Sequence, residues 1–236
     1  MFLVGGFVGA AFFLAISGVR VVNPTQINWV MQLDWRIHFL GWHFFRREPW
    51  MWPPGRMSGY FHAPDGTAIG FTDSIPLAAF SLKPFASLLP DPFQYLGLWL
   101  LLCFVLQGGF GVLLARVWTT SRVLQLLAAF LFVLMPTLLI RVGHPSLCAH
   151  WLLLWALWLY LRSEPRRVQP IAQYAAVGLV AGLVHPYLAV MVLAILLALA
   201  VKERTVNGLL VAATAVALGW WASGLFTVPG GNLSSE

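Results

Sequence analysis

The sequence is short of charge: 9% of its 236 residues are Asp, Glu, Lys or Arg, while 60% are hydrophobic. A soluble globular domain carries about 25% charged residues, so a water-soluble fold is excluded. Cysteine is scarce too. Cys103 lies inside an apolar run and Cys148 near the start of another, leaving neither a disulfide framework nor a CxxC pair. Lysine supplies only two of the fourteen basic residues and no long basic tract occurs. The net charge of +6 therefore reads as membrane topology and not as a nucleic-acid footprint. No Walker loop, GxGxxG, HExxH or GxSxG motif is present, which removes support for ATPase, dinucleotide, zinc-protease and serine-hydrolase chemistry. Internal repeats and low-complexity segments are also absent from the sequence.

What the sequence has in abundance is long apolar runs. Stretches 96–106, 124–134 and 189–201 are apolar on every face, unlike the ten-residue alternation of an outer-membrane barrel. The composition predicts an all-α, polytopic transmembrane helix bundle. Residues 1–19 lack a charged n-region and a clear A-x-A site and are read as a retained first crossing, with a removed signal peptide as the alternative. Residues 20–92 are the one substantial extramembrane segment. They hold all four Asp, Glu48, six basic residues, three of the six His and most of the prolines.

Further crossings are expected at 93–117, 123–140, 147–161 and 206–225, within a bundle spanning 93–225. Residues 171–201 are ambiguous: one helix of that length would be about 45 Å long against a hydrocarbon core of about 30 Å. Positive charge decides the count. Arg116 with Arg122, then Arg162, Arg166 and Arg167, then Lys202 and Arg204 form three basic clusters. All three are cytoplasmic only if the chain crosses twice between Arg167 and Lys202. His185-Pro186 is then the outer apex of two short helices, and about seven crossings result, with the N-terminus cytoplasmic. The 20–92 loop, the 141–146 turn, His185 and the 226–236 tail then share the extracytoplasmic face. The alternative is one long tilted helix kinked at Pro186. Trp99, Trp118, Trp151, Trp220 and Trp221 fall near proposed membrane ends, whereas Trp155 and Trp158 are expected to face other helices. The chain stops in a loop at Glu236 and is read as a fragment or truncated product.

Asn23-Pro24-Thr25-Gln26 has the form of a helix start, predicting an amphipathic juxtamembrane helix from there to about Arg47, before Pro49. Asp34 and His38 share one face of it, followed a turn later by Gly41 and Trp42. Trp29, Trp35, Phe39, Phe44 and Phe45 suit a helix lying at the membrane surface. Asp34 is open to a plainer reading, solvation or pairing with Arg36 or His38. Pro64-Asp65-Gly66 is a turn signal, so Asp65 is read as structural. Asp73 or Ser74 is placed to cap a second surface helix, Ile75 toward Leu88, that carries Lys83; for Asp73, capping and catalysis both stay open. Asp91-Pro92 is read as opening the second crossing. On the same outer face fall Arg141, His144, His150 and His185. A single histidine at a helix end is by itself readable as a cap or dipole partner. Ionisable groups gathered beside apolar helices are a functional-site hypothesis by default.

A short first crossing, a long loop carrying aspartates and surface helices, and then a bundle of short-looped helices resembles the GT-C superfamily of membrane glycosyltransferases. Asp34-Trp35-Arg36-Ile37-His38-Phe39-Leu40-Gly41-Trp42, Arg46-Arg47-Glu48-Pro49-Trp50, Thr72-Asp73-Ser74-Ile75-Pro76-Leu77, Phe93-Gln94-Tyr95-Leu96-Gly97-Leu98-Trp99 and His144-Pro145 are similar to a family of bacterial GT-C-like membrane proteins. The likeness covers nearly the whole chain, and such proteins extend further. It implies an inner-membrane enzyme that moves a sugar from a polyprenyl-phosphate donor to a glycan, lipid or protein acceptor on the periplasmic side, with inversion. Asp34 is then the general base, Asp73 a metal ligand or an orienting partner, and His38 the group that holds Asp34. Arg56, Lys83, Arg141, His144 and His185 stand at the headgroup level where the donor phosphate needs positive or hydrogen-bonding groups. Some GT-C enzymes use Mg or Mn and others do not; the acidic residues are too few and scattered to assign metal ligands. Membrane lipids are the remaining expected partners. Two rivals stand beside the enzyme: a lipid-carrier transporter or flippase, and a non-catalytic assembly subunit. An alternating-access transporter should show an internal repeat or midplane charges, and neither is evident.

Overall fold

The computed structural model describes residues 1–32, 34–58, 66–164 and 169–226. Helix α1 (Phe2–Ser17) leads through a 3₁₀ turn (Val19–Val22) to α2 (Trp35–Phe45). A two-residue antiparallel ribbon follows, β1 (Arg56–Met57) against β2 (Thr67–Ala68), with Arg56 opposite Ala68. Then come α3 (Pro76–Leu82), α4 (Leu96–Ala115), α5 (Arg122–Val133), α6 (Pro136–Ile140) and α7 (Trp151–Arg162). Helices α8 (Ile171–Val184), α9 (Pro186–Glu203) and α10 (Asn207–Ala222) complete the described chain. A segment that is apolar on every face can satisfy its own backbone polar groups only by bonding them internally, and these runs do so as helices.

Among the described residues three segments are long and apolar enough to cross a membrane by length and composition: Leu96–Ala115, Arg122–Gly143 and Pro186–Glu203. Helices α1, α8 and α10 are apolar but shorter, at 16, 14 and 16 residues. The 171–201 stretch is two helices, separated by His185 in an extended conformation, φ −163° and ψ 135°. Helix contacts show that the chain reverses there. Gly178 packs on Ala212, Gly182 on Val216 and Tyr174 on Gly208, and the offset in residue number is the same at all three. Helices α8 and α10 are therefore parallel, which requires α9 to run back between them. By contrast, Gly9 packs on Phe104 and Gly5 on Gly108, so α1 and α4 are antiparallel.

This alternation gathers the segments from the Val19–Val22 turn to α3, the turn between α6 and α7, His185 and Ser223 at one end of the bundle. Two indoles tie that end together: Trp35 Nε1 donates to Val142 O at 2.9 Å and Trp99 Nε1 to Pro145 O at 2.8 Å. Gly55 N donates to Ala222 O at 2.7 Å and Gly70 N to Ser223 O at 3.1 Å, docking the ribbon on the end of α10.

Several local expectations are corrected. Asn23 does not open a long helix; its Oδ1 accepts from Thr25 N and Oγ1, closing a local turn, and α2 begins only at Trp35. The surface helix that α2 was expected to be turns much of its aromatic face inward, with Phe39, Trp42 and Phe45 buried. Neither Asp73 nor Ser74 caps α3, whose N-cap position is Ile75 with no capping side-chain bond. That helix ends at Leu82, because Pro84 has no N–H to extend it, and a 3₁₀ turn (Lys83–Phe85) follows. The 123–140 crossing is broken before Pro136 into α5 and α6. Asp91 joins no helix start; α4 begins at Leu96, and Asp91 pairs with Arg47 at 2.5 Å. His62, Asp65, Arg166, Arg167 and residues 227–236 lie outside the described residues.

Candidate active site

Asp34 occupies the N-cap position of α2 in helical geometry, and its side chain makes no capping bond. Its carboxylate, 63% exposed, instead lies with Oδ2 3.4 Å from His144 Nε2. One turn along α2, His38 is buried and its Nδ1 lies 2.6 Å from the main-chain oxygen of Asp73. A carbonyl only accepts, so Nδ1 carries the proton. His185 is oriented by the same logic. Its Nδ1 accepts the Tyr187 N–H at 3.1 Å, which in the neutral ring puts the proton on Nε2, 3.5 Å from Asp73 Oδ1. The rings of His38 and His144 are 6.4 Å apart. Asp34, His144, His38, Asp73 and His185 thus form one continuous cluster drawn from four separate segments. The expected contact from His38 to Asp34 is taken by His144, and His38 holds Asp73.

The electrostatics follow from this packing. Burial, which outweighs the neighbouring carboxylates, lowers the His38 pKa from its ordinary value, so the ring is neutral near pH 7. For Asp73, burial works to raise the carboxyl. The His185 hydrogen bond together with the charges of His38, His185 and His144 outweighs it and holds the group below the usual carboxylate value. A crevice of about 10 Å³ beside Asp73 and His185 has room for at most one water.

Next to the cluster, a groove of about 400 Å³ runs between helices, with Arg141, His150 and Tyr187 among its polar lining and Met135, Leu154 and Met191 along its wall. Among the described residues no carboxylate pairs with Arg141. Lys83 and Arg56 do not join the cluster. The Lys83 ammonium sits 3.7 Å from the Phe45 ring centre and 4.5 Å from that of Trp50. Burial takes its pKa down to about 8 against the raising pull of Glu48. Arg56 is exposed on β1.

The sequence offered Ser74 only as a helix cap and gave Thr72 and Tyr95 no role of their own. Thr72, Ser74 and Tyr95 are buried and hydrogen-bonded around its turn, and Gly41 gives them room, because a Cβ there would overlap the Ser74 and Thr72 hydroxyls. Their sequence signal is that they stand in the Thr72–Leu77 and Phe93–Trp99 segments that carry the family resemblance. Among the described residues no three His, Cys, Asp or Glu side chains are grouped to hold a metal ion.

A mostly helical chain with apolar, membrane-length helices is compatible with a membrane protein. The chain belongs to the family described as a domain of unknown function, DUF6311, whose model matches residues 6–236. No curated protein and no solved structure matches it.

Proposed function

We propose that the protein is a seven-crossing inner-membrane glycosyltransferase of the GT-C kind, taking its sugar from a polyprenyl-phosphate donor on the periplasmic face. The observation that carries this reading is the meeting of Asp34 and Asp73 with three histidines at one bundle end, beside an apolar groove with Arg141 in its lining. The parallel run of α8 and α10 supports two passes across 171–201, the count that the positive-inside rule favours.

In this reaction Asp34 removes the acceptor hydroxyl's proton while that oxygen attacks the anomeric carbon and the carbon–oxygen bond to phosphate breaks. Inversion follows from attack opposite the leaving group. Asp34 suits the role because it is the more exposed carboxylate, whereas Asp73 is held by His185. Arg141 offers its positive charge to the departing lipid phosphate, and the groove takes the start of the apolar chain.

The test is sugar transfer from polyprenyl-phosphate donors by the full chain in nanodiscs, with Asp34→Asn as the control variant. Donor consumption that the variant loses supports the enzyme. Donor binding without turnover in both proteins would instead favour the carrier or assembly-subunit reading.

A further inference from the structure

The turn that carries Asp73 is built against its own conformational preference. Asp73 and Ile75 have φ of +53° and +51°, a region that glycine favours and that a β-branched residue avoids. Such residues persist only where the surroundings over-determine them, and an observed outlier of this kind is a pointer to function. Helix capping does not explain it, since α3 receives no side-chain cap. The surroundings are nevertheless specific. Ser74 Oγ donates to the His38 carbonyl at 2.6 Å, and the Thr72 hydroxyl donates to Ser74 Oγ at 2.8 Å. The Tyr95 hydroxyl donates to the Ser74 carbonyl, and His38 Nδ1 donates to the Asp73 carbonyl at 2.6 Å.

His38 therefore grips the turn twice, through its ring on Asp73 and its main chain on Ser74. Tyr95, at the start of α4, grips it from the other side. Ser74 lies between the two left-handed residues and is fully buried. What the strained turn provides is aim: with the backbone held this way, Asp73 Oδ1 faces His185 across the end of α8.

We propose that Ser74 is the positioning residue of Asp73, tying the left-handed turn to α2 through His38 and to α4 through Tyr95 so that the carboxylate meets His185. Without that tie the turn relaxes toward ordinary backbone angles and the Asp73–His185 contact opens. The inference adds a positioning group to the proposed transferase site and rests on that reading only for its purpose; the geometry stands apart from it.

The experiment uses the full chain in nanodiscs with ¹³C-carboxyl aspartate, which labels four residues. Asp73 is assigned by its loss in Asp73→Asn, and its titration is followed in wild type, Ser74→Ala and Tyr95→Phe. The groups facing Asp73 are His38, His185 and His144, so their ring signals are titrated in parallel. In both variants the Asp73 midpoint should rise toward the ordinary carboxylate value as the His185 bond is lost. Asp91, held low by its hydrogen bond to Arg47 and not by any group of this turn, should keep its midpoint and serves as the folding control. An unchanged Asp73 midpoint with an unchanged Asp91 overturns the proposal; if Ser74→Ala fails to fold, Tyr95→Phe decides. In the transfer assay Ser74→Ala should lower kcat about tenfold with the donor KM unchanged. A wild-type protein without transfer activity would remove the enzyme reading and leave the titration result intact.

Discussion

At the end of the bundle away from the cluster, Glu203 is 3% exposed and accepts hydrogen bonds from the Tyr174 hydroxyl at 2.6 Å and from Gln169 N at 3.1 Å. Asp34 and Asp73, at the other end, are 63% and 47% exposed and face histidines at 3.4 and 3.5 Å. Glu203 is saturated, short-bonded and buried, and it ties the segment before α8 to the end of α9. The aspartates are loosely partnered and reachable, in a setting that includes backbone strain. Carboxylates of the first kind act on stability, because removing one leaves buried donors without partners. Those of the second kind are available for chemistry, because their partners orient them without using them up.

Four substitutions or conditions test that contrast. The largest effect should come from Asp34→Asn, expected to lower sugar transfer by roughly 10²- to 10⁴-fold while the thermal midpoint stays near wild type. Comparable activity in the variant would remove Asp34 as the base. Glu203→Ala should do the reverse, costing about 1–3 kcal/mol in a denaturation measurement through the stranded Tyr174 hydroxyl and Gln169 N–H, with transfer by the surviving folded protein little changed. Ile75→Gly should lower stability by about 1–3 kcal/mol net, because loss of a fully buried core side chain outweighs the relief of its left-handed angle, and a rise in stability would show that the strain outweighs the packing.

The smallest effect is on pH dependence. Because the His38 pKa is lowered in the folded chain, the unfolded chain holds more protons between the folded value and 6.5. Stability therefore rises with pH through that window and falls as pH drops below 6.5. Asp73, also lowered, adds to the loss only below its ordinary value of 3.8. A His38→Gln variant should show a flatter thermal midpoint between pH 7.5 and 5.5; an equal slope would place the titration elsewhere.

Much of the helical layout was legible because it depends on local sequence. Apolar runs near bilayer length force internal hydrogen bonding, Pro186 stops α8 at His185, and the basic clusters marked one end. Asp34, Asp73, His144 and His185 were legible as chemistry-bearing residues beside apolar helices. What misled was capping grammar. Asn23 and Ser74 both carry oxygens suited to an N-cap, yet Asn23 spends its oxygen on Thr25 and Ser74 spends its hydroxyl on His38, a residue 36 positions away. Local propensity has no knowledge of a partner brought in by packing.

The mostly helical class and an interruption at Pro186 could be read from the chain alone, since each follows from hydrophobicity, proline geometry and short-range periodicity. Only the tertiary structure decided that His144 and not His38 faces Asp34, and that Asp73 is aimed at His185 from a left-handed turn. It also decided that Lys83 is caged by Phe45 and Trp50 away from the cluster. Those outcomes depend on which helices run parallel and on side chains meeting from segments over a hundred residues apart, and pairings of that range leave no periodic trace in the chain.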